Sequence, residues 1–342
     1  MFASPIIVAP MAGGTTTPEL ALAARGAGAF AYAAGGYRSA ESLAEHLAPL
    51  RAAGGDFGVN LFVPRSGPLA SGDASSLARY RLELAGDAER LGAELPAELP
   101  PADGPRARDY WDEKLDLLLH DPVPLVSFTF GLAPEPVVTA LRAKGTRVVA
   151  SVTSVAEALA AAATGVDALV VQHSDAGGHS AAFLPGAERA APGVAGLVAR
   201  VRAAVGLPLV GAGGIGDAAT AKAVLAAGAE AVQLGTAVLR SDESGARALH
   251  KDALADPAYT ATGVTRAFTG RAARALVNGF VRDHSANAPH AYPEVHFLTG
   301  PLRAAAAAAG DRESVNLWAG TAWQKAAAGP VAGIVEGFLR ML

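Results

Sequence analysis

Eight short apolar runs, six of them preceded by a small-residue helical stretch that stops at glycine, fill the first 240 residues and constrain the fold more than any other feature. They fall at residues 6–10, 30–34, 57–61, 125–128, 148–152, 168–172, 209–211 and 231–234. Gly28, Gly55, Gly145, Gly165, Gly206 and Gly228 stand where a helix would close in a left-handed cap. Most runs are continuously apolar rather than alternating, as strands covered on both faces are. This repeat predicts an α/β protein built as a (β/α)8 TIM barrel, with a doubly wound open sheet as the second choice.

The rhythm breaks in two places. Residues 63–124, rich in proline and glycine, read as an insertion after the third strand with helices near 75–91 and 107–120. Beyond residue 240 the repeat stops. A charged helix over 243–254 and helical segments from 295 onward predict a smaller, mainly helical region, 241–342, that caps a barrel of residues 1–240.

Composition narrows the function. At 342 residues and 51% hydrophobic, the chain can bury a large core. A net charge of −4 offers no basic footprint for nucleic acid or an anionic membrane. The absence of cysteine excludes disulfides, thiol nucleophiles, iron–sulfur clusters and cysteine zinc sites. No apolar run reaches the ~20 residues of a membrane span, and Met1-Phe2-Ala3-Ser4-Pro5 is not a signal sequence. The expectation is a soluble cytoplasmic protein.

In a barrel of this kind chemistry sits at the carboxyl ends of the strands, with phosphate groups favouring the loops after strands seven and eight. The seventh run ends in Gly211-Ala212-Gly213-Gly214-Ile215-Gly216 before a helix, and the eighth in Gln233-Leu234-Gly235-Thr236. Glycines ahead of a helix leave backbone N–H groups aimed at an anion. They also serve plain tight turns, but both loops at these two positions read together as a monophosphate cradle. No lysine and no Walker pattern accompanies them, which argues against a nucleoside triphosphate.

A monophosphate there suits flavin mononucleotide, FMN, lying across the barrel mouth. Met11, Ala12 and Gly13 would bring backbone to its ring, and Asn60 and Gln172 could hydrogen-bond its edge, although Asn60 also fits a turn amide. The sixth run breaks into Gln172-His173-Ser174-Asp175-Ala176-Gly177-Gly178-His179. Gly177 and Gly178 let a flat ligand approach, and His179 is the candidate catalytic residue, able to hold an anion or move a proton near neutral pH. A metal held by His173, Asp175 and His179 lacks a further ligand at useful spacing, so no metal is expected. His46, His120 and His250 sit in polar contexts typical of surfaces. Tyr292, Trp318 and Trp323 either close over a substrate or seam the cap to the barrel, and Arg271 either steers an anion or pairs at the surface.

Several motifs occur together and in order: Ala9-Pro10-Met11-Ala12-Gly13-Gly14, Gly58-Val59-Asn60-Leu61-Phe62, Asp175-Ala176-Gly177-Gly178-His179, Gly211-Ala212-Gly213-Gly214-Ile215 and Gln233-Leu234-Gly235-Thr236. With Phe268-Thr269-Gly270-Arg271 and Asn316-Leu317-Trp318-Ala319-Gly320, the chain resembles the nitronate monooxygenases, formerly 2-nitropropane dioxygenases, most closely their bacterial class I. The resemblance implies an FMN-containing barrel that oxidises small anionic nitronates such as propionate 3-nitronate with molecular oxygen and needs no NAD(P)H. It implies flavin contacts at Met11 to Gly13, Asn60, Gln172, Gly177, Gly214 and Gln233 to Thr236, with His179 near flavin and substrate. Asp175 and Ser180 stand where many relatives carry glutamate and arginine, and Thr129 stands where relatives carry a histidine on the fourth strand. The alternatives are an NAD(P)H-dependent flavin reductase of quinones or enoyl thioesters, and a catalytically silent flavin-binding protein.

Overall fold

The computed structural model describes residues 1–184 and 192–342. Ile6–Val8, Phe30–Ala34, Gly58–Phe62, Leu125–Thr129, Arg147–Val152, Ala168–Gln172, Leu209–Ala212 and Ala231–Leu234 are the eight barrel strands, parallel and neighbouring in that order. The first closes on the last through Ile7↔Gln233 and Val8↔Leu234. That closure makes a (β/α)8 barrel and rules out the open sheet.

Alternation along each strand divides two cores. Inward, Ile7, Phe30, Tyr32, Leu125, Val149, Ala168, Val170 and Val210 fill the barrel axis. Phe2 closes its lower end with its ring edge-on to Phe30 at 5.4 Å. Outward, Ile6, Val8, Val59, Val126, Val171 and Val232 pack under the helices. A filled axis leaves only the mouth for a ligand. Several helices start on a side-chain cap: Thr17, Ser39, Ser154 and Asp217 each accept from the N–H three residues on. Each such cap stabilises its helix by about 1 kcal/mol.

The insertion carries three helices instead of two. The expected 75–91 helix is divided at Leu84 into Ser71–Glu83 and Ala85–Leu91. The next, Trp111–His120, starts four residues later than expected because Asp109 and Tyr110 have left-handed backbones, φ 55° and 52°. The charged helix of 243–254 shrinks to Ala248–Ala253.

Beyond the barrel the chain also forms a sheet that periodicity missed. Thr262–Thr265 pairs antiparallel with Ala273–Leu276, and Gly178–His179 from the sixth barrel loop adds the third strand through Ala273↔His179. A two-residue strand begun by glycine leaves no alternation to read. The helices Gly279–His284 and Glu294–Ala308 follow, and the last, Val331–Leu339, buries Val331, Val335 and Phe338 in the outer barrel core. Among the described residues no helix is long and apolar enough to cross a membrane, and no three His, Asp or Glu side chains gather as metal ligands.

Candidate active site

The carboxyl ends of the barrel strands surround a cavity of about 210 Å³. Met11, Ala12, Asn60, Gln172, Gly177, Gly178, His179, Gly213, Gly214, Gln233, Gly235 and Thr236 line it. Two expected residues do not. Gly13 occupies the turn behind the wall at φ 77°, and the Leu234 side chain points outward into the core while its carbonyl accepts from Ala9 N–H at 2.9 Å.

The loops after the seventh and eighth strands present unpaired amides. The N–H groups of Gly213, Gly214, Gly235 and Thr236 make no hydrogen bond to any described residue. Gly213 and Gly214 have φ 105° and 71°, and a Cβ on Gly213 would lie 2.7 Å from His173 O, so glycine is required there. The helix behind them is already capped by Asp217, which also pairs with Lys325. Loop amides, rather than a free helix terminus, are therefore the donors left unpaired at this end of the barrel. A strip from the far end of the chain completes it: Gly320 N–H donates to Thr236 Oγ1 at 3.0 Å and Thr321 N–H to Asp175 O at 3.0 Å.

Two amides expected at the edge of a bound ring divide in role. Asn60 is buried, and its Nδ2 donates to Ser127 Oγ and Thr129 Oγ1, both at 2.9 Å, with Thr129 Oγ1 a further 3.3 Å from Ser151 Oγ. Its amide oxygen has no described partner and remains an acceptor. Gln172 is chiefly a loop clasp: its Nε2 donates to His179 O at 3.1 Å, and its Oε1 accepts from Ala181 N–H at 2.8 Å. Thr129, where the resemblance leads one to expect a histidine, thus joins the Asn60–Ser151 chain and leaves no ionisable group there.

His179 is held from three sides. Its backbone is the edge strand beside Ala273, its carbonyl is clasped by Gln172, and its Nε2 lies 2.9 Å from Thr269 Oγ1. Trp318, Phe130 and Tyr292 surround the ring at 5.2, 5.7 and 6.0 Å. Burial, reinforced by the charges of Arg271 and Arg303, pulls its pKa down to about 3. The imidazole is neutral at pH 7, and its Nδ1 has no hydrogen-bond partner among the described residues. Arg271 lies 4.0 Å over the Phe130 ring and donates to Ser180 O and Ala182 O. Arg303 donates to Thr299 Oγ1 and His296 O. Burial lowers both guanidinium groups to about 10, yet neither has a carboxylate within ion-pair distance among the described residues.

The rest of this wall escaped sequence reasoning. Tyr37, Phe62, Ser127, Phe130 and Ser151 also line the cavity. So does His250, whose Nε2 lies 2.9 Å from Trp318 O and which burial pulls down to about 4. His250 is therefore a wall residue and His46 a buried one, while His120 is exposed as expected. Trp318 faces the cavity, whereas Trp323 belongs to the buried seam of the C-terminal region. The tyrosine after Gly35-Gly36 at the second strand end, and Phe130 at the fourth, were the available signals.

The family model described as nitronate monooxygenase matches residues 1–340. The chain belongs to the nitronate monooxygenase family. Proteins named probable nitronate monooxygenase are similar over most of their length. That of Staphylococcus aureus (strain Newman) is 33% identical over 99% of this chain and 94% of its own, and that of Bacillus subtilis (strain 168) 32% identical over 92% and 89%. Among solved structures, nitroalkane oxidase from Streptomyces ansochromogenes is 44% identical with a TM-score of 0.92, covering 100% of this chain and 96% of that one. FabK from Thermotoga maritima, at 24% identity and TM-score 0.74 over 99% and 93%, shares the fold. Nitronate monooxygenases are flavin-dependent oxidoreductases, and the residues present fit a flavin. Gln233 Oε1 is buried at the cavity without any hydrogen-bond partner among the described residues, as expected of an acceptor waiting for a ring donor. The four unpaired loop amides are likewise donors without a partner among the described residues.

Proposed function

We propose that this chain is an FMN-dependent nitronate monooxygenase acting on small anionic alkyl nitronates, propionate 3-nitronate among them. Molecular oxygen is the co-substrate; nitrite and a carbonyl compound are the products. Gly213, Gly214, Gly235 and Thr236 would hold the FMN phosphate through backbone N–H groups, with Asn60 and Gln233 as acceptors for its ring. Bound there, the flavin supplies the electron transfer between nitronate and oxygen. Residues 241–342 act as a cap over this site, and the protein works in the cytoplasm.

The reading rests chiefly on the charge arrangement around His179. Two partly buried guanidinium groups without carboxylate partners among the described residues surround a neutral imidazole, and a cation withdrawn from water is costly unless an anion meets it. Outside the Phe130 ring lies a second cavity of about 1070 Å³, lined by Arg65 and Arg108, which pair with Glu294 and Asp112, and by Arg266 and Arg271, which have no carboxylate partner among the described residues. Such an approach raises the local concentration of anions. The Streptomyces relative is named for nitroalkanes, neutral molecules that must first lose a carbon-bound proton. A histidine at about 3 is a weak base for that step, which favours the nitronate, already deprotonated, as the form consumed. In this role His179 binds and orients the anion through its ring, and the aromatic wall excludes water.

Oxygen uptake tests the reading, measured with the FMN-loaded protein on a panel of nitronates, the matching neutral nitroalkanes and NADH. Uptake with nitronates, weak with nitroalkanes and absent with NADH alone, is the expected pattern. Anaerobic bleaching by NADH but not by nitronates would make the protein a flavin reductase. Tight flavin with no turnover on either would make it a silent binder.

A further inference from the structure

The insertion after the third barrel strand holds a buried ion pair that the chemistry so far does not use. Lys114, 1% exposed, donates from Nζ to Asp109 Oδ2 at 2.7 Å and to Gly35 O at 2.9 Å. Asp109 Oδ1 accepts the backbone N–H of Tyr37 at 2.7 Å. The pair thus grips the loop after the second barrel strand by one carbonyl and one amide, across more than 70 residues of sequence.

That loop needs gripping. Tyr37 has φ 65°, a conformation a bulky side chain adopts only when its surroundings impose it. Gly36 allows the approach to Phe62, since a Cβ there would lie 2.3 Å from its ring. The Tyr37 ring stacks flat on His296 at 4.4 Å and edge-on to Phe62 at 5.4 Å, and faces the cavity. Tyr292 donates its hydroxyl to Tyr37 Oη at 3.4 Å, which leaves the Tyr37 proton free to donate. Burial holds that phenol protonated, pushed up to about 12.

We propose that Asp109 and Lys114 are positioning residues that fix Tyr37 on the cavity wall, and that the Tyr37 hydroxyl is a specificity-determining donor to an oxygen of the bound substrate. The second half rests on the nitronate reading above; the first does not. Both charges come from the insertion, whose last helix also packs Leu115 and Leu118 into the outer barrel core, so shaping this wall is a further role for that segment.

The test compares two charge-free pairs, so that no lone buried charge confuses folding. Asp109→Asn with Lys114→Met keeps an oxygen for the Tyr37 N–H; Asp109→Ala with Lys114→Met removes it. Amide hydrogen exchange needs no substrate. At Tyr37 it is expected to be at least about tenfold faster in the alanine pair than in the asparagine pair, the effect of one lost hydrogen bond. In the FMN-loaded enzyme the alanine pair and Tyr37→Phe should each raise the nitronate KM by about tenfold with kcat within about twofold, and combining them should add nothing further. Equal exchange in the two pairs, or KM effects that multiply when combined, overturns the proposal. A wild-type enzyme inert to every nitronate, with the exchange difference intact, upholds the positioning pair and overturns the nitronate reading instead.

Discussion

The two walls of the cavity are made of different materials. The wall after strands seven and eight is almost wholly main chain: glycines, free amides and one threonine hydroxyl, each within a few residues of a barrel strand. The opposite wall is side chain. Tyr37, Phe130, His179 and Trp318 converge on it from a sequence span of nearly three hundred residues, with Tyr292, Arg271 and Arg303 behind them. A backbone wall fixes charge and shape at little rotamer cost and suits a constant group such as a phosphate. A side-chain wall can be re-cut for each substrate. Retention of cofactor and choice of reaction should therefore respond to different mutations.

The largest separation is expected at His179. His179→Asn should lower nitronate kcat/KM by about 100-fold or more, the usual scale for losing a group that acts at the reacting atoms, with flavin content unchanged. Wild-type turnover would remove the imidazole from the chemistry. On the other wall, Gly213→Val forces a side chain onto φ 105° and into His173 O, a strain of about 1–3 kcal/mol. It should weaken FMN binding by about tenfold or more in flavin titrations, while saturating FMN restores kcat. If kcat stays low at saturation, the two walls are not separable.

A smaller, graded effect is expected from acid. His179 and His250 are held neutral in the folded protein, at about 3 and about 4, against an ordinary value of 6.5. The unfolded chain therefore binds more protons than the folded one as pH falls from about 6.5 to 4. Stability should decline across that window by up to about 1.4 kcal/mol per pH unit for each histidine. Asp109, raised to about 6 by burial, runs the other way and offsets part of the loss. Denaturant midpoints of wild type and His250→Gln between pH 7 and 4.5 check this, and a variant with an equally steep decline would exclude His250 as a source.

The same contrast explains what could be read in advance. The barrel and its backbone wall were legible because their signals are local: a continuous apolar run, a glycine cap, and glycines where a strand meets a helix. The seventh and eighth loops carry their meaning in consecutive residues. His179 was legible for the same reason. Tyr37 and Phe130 depend on left-handed backbones that contacts from other segments enforce, and nothing beside Asp109 in the sequence announces that it will accept the Tyr37 amide. His250 looked like a surface residue because its neighbours are polar, but Trp318, sixty-eight residues on, covers it. Gln172 was placed correctly at the mouth, yet its amide serves mainly the loop that carries His179.

Thr236 and Asp175 also carry a mechanical consequence. Each is stitched to the strip at Gly320 and Thr321, so a distant part of the chain is fastened to loops at the mouth where the prosthetic group is proposed to bind. If a flavin is held as proposed, its exchange is expected to be slow for as long as that strip stays fastened.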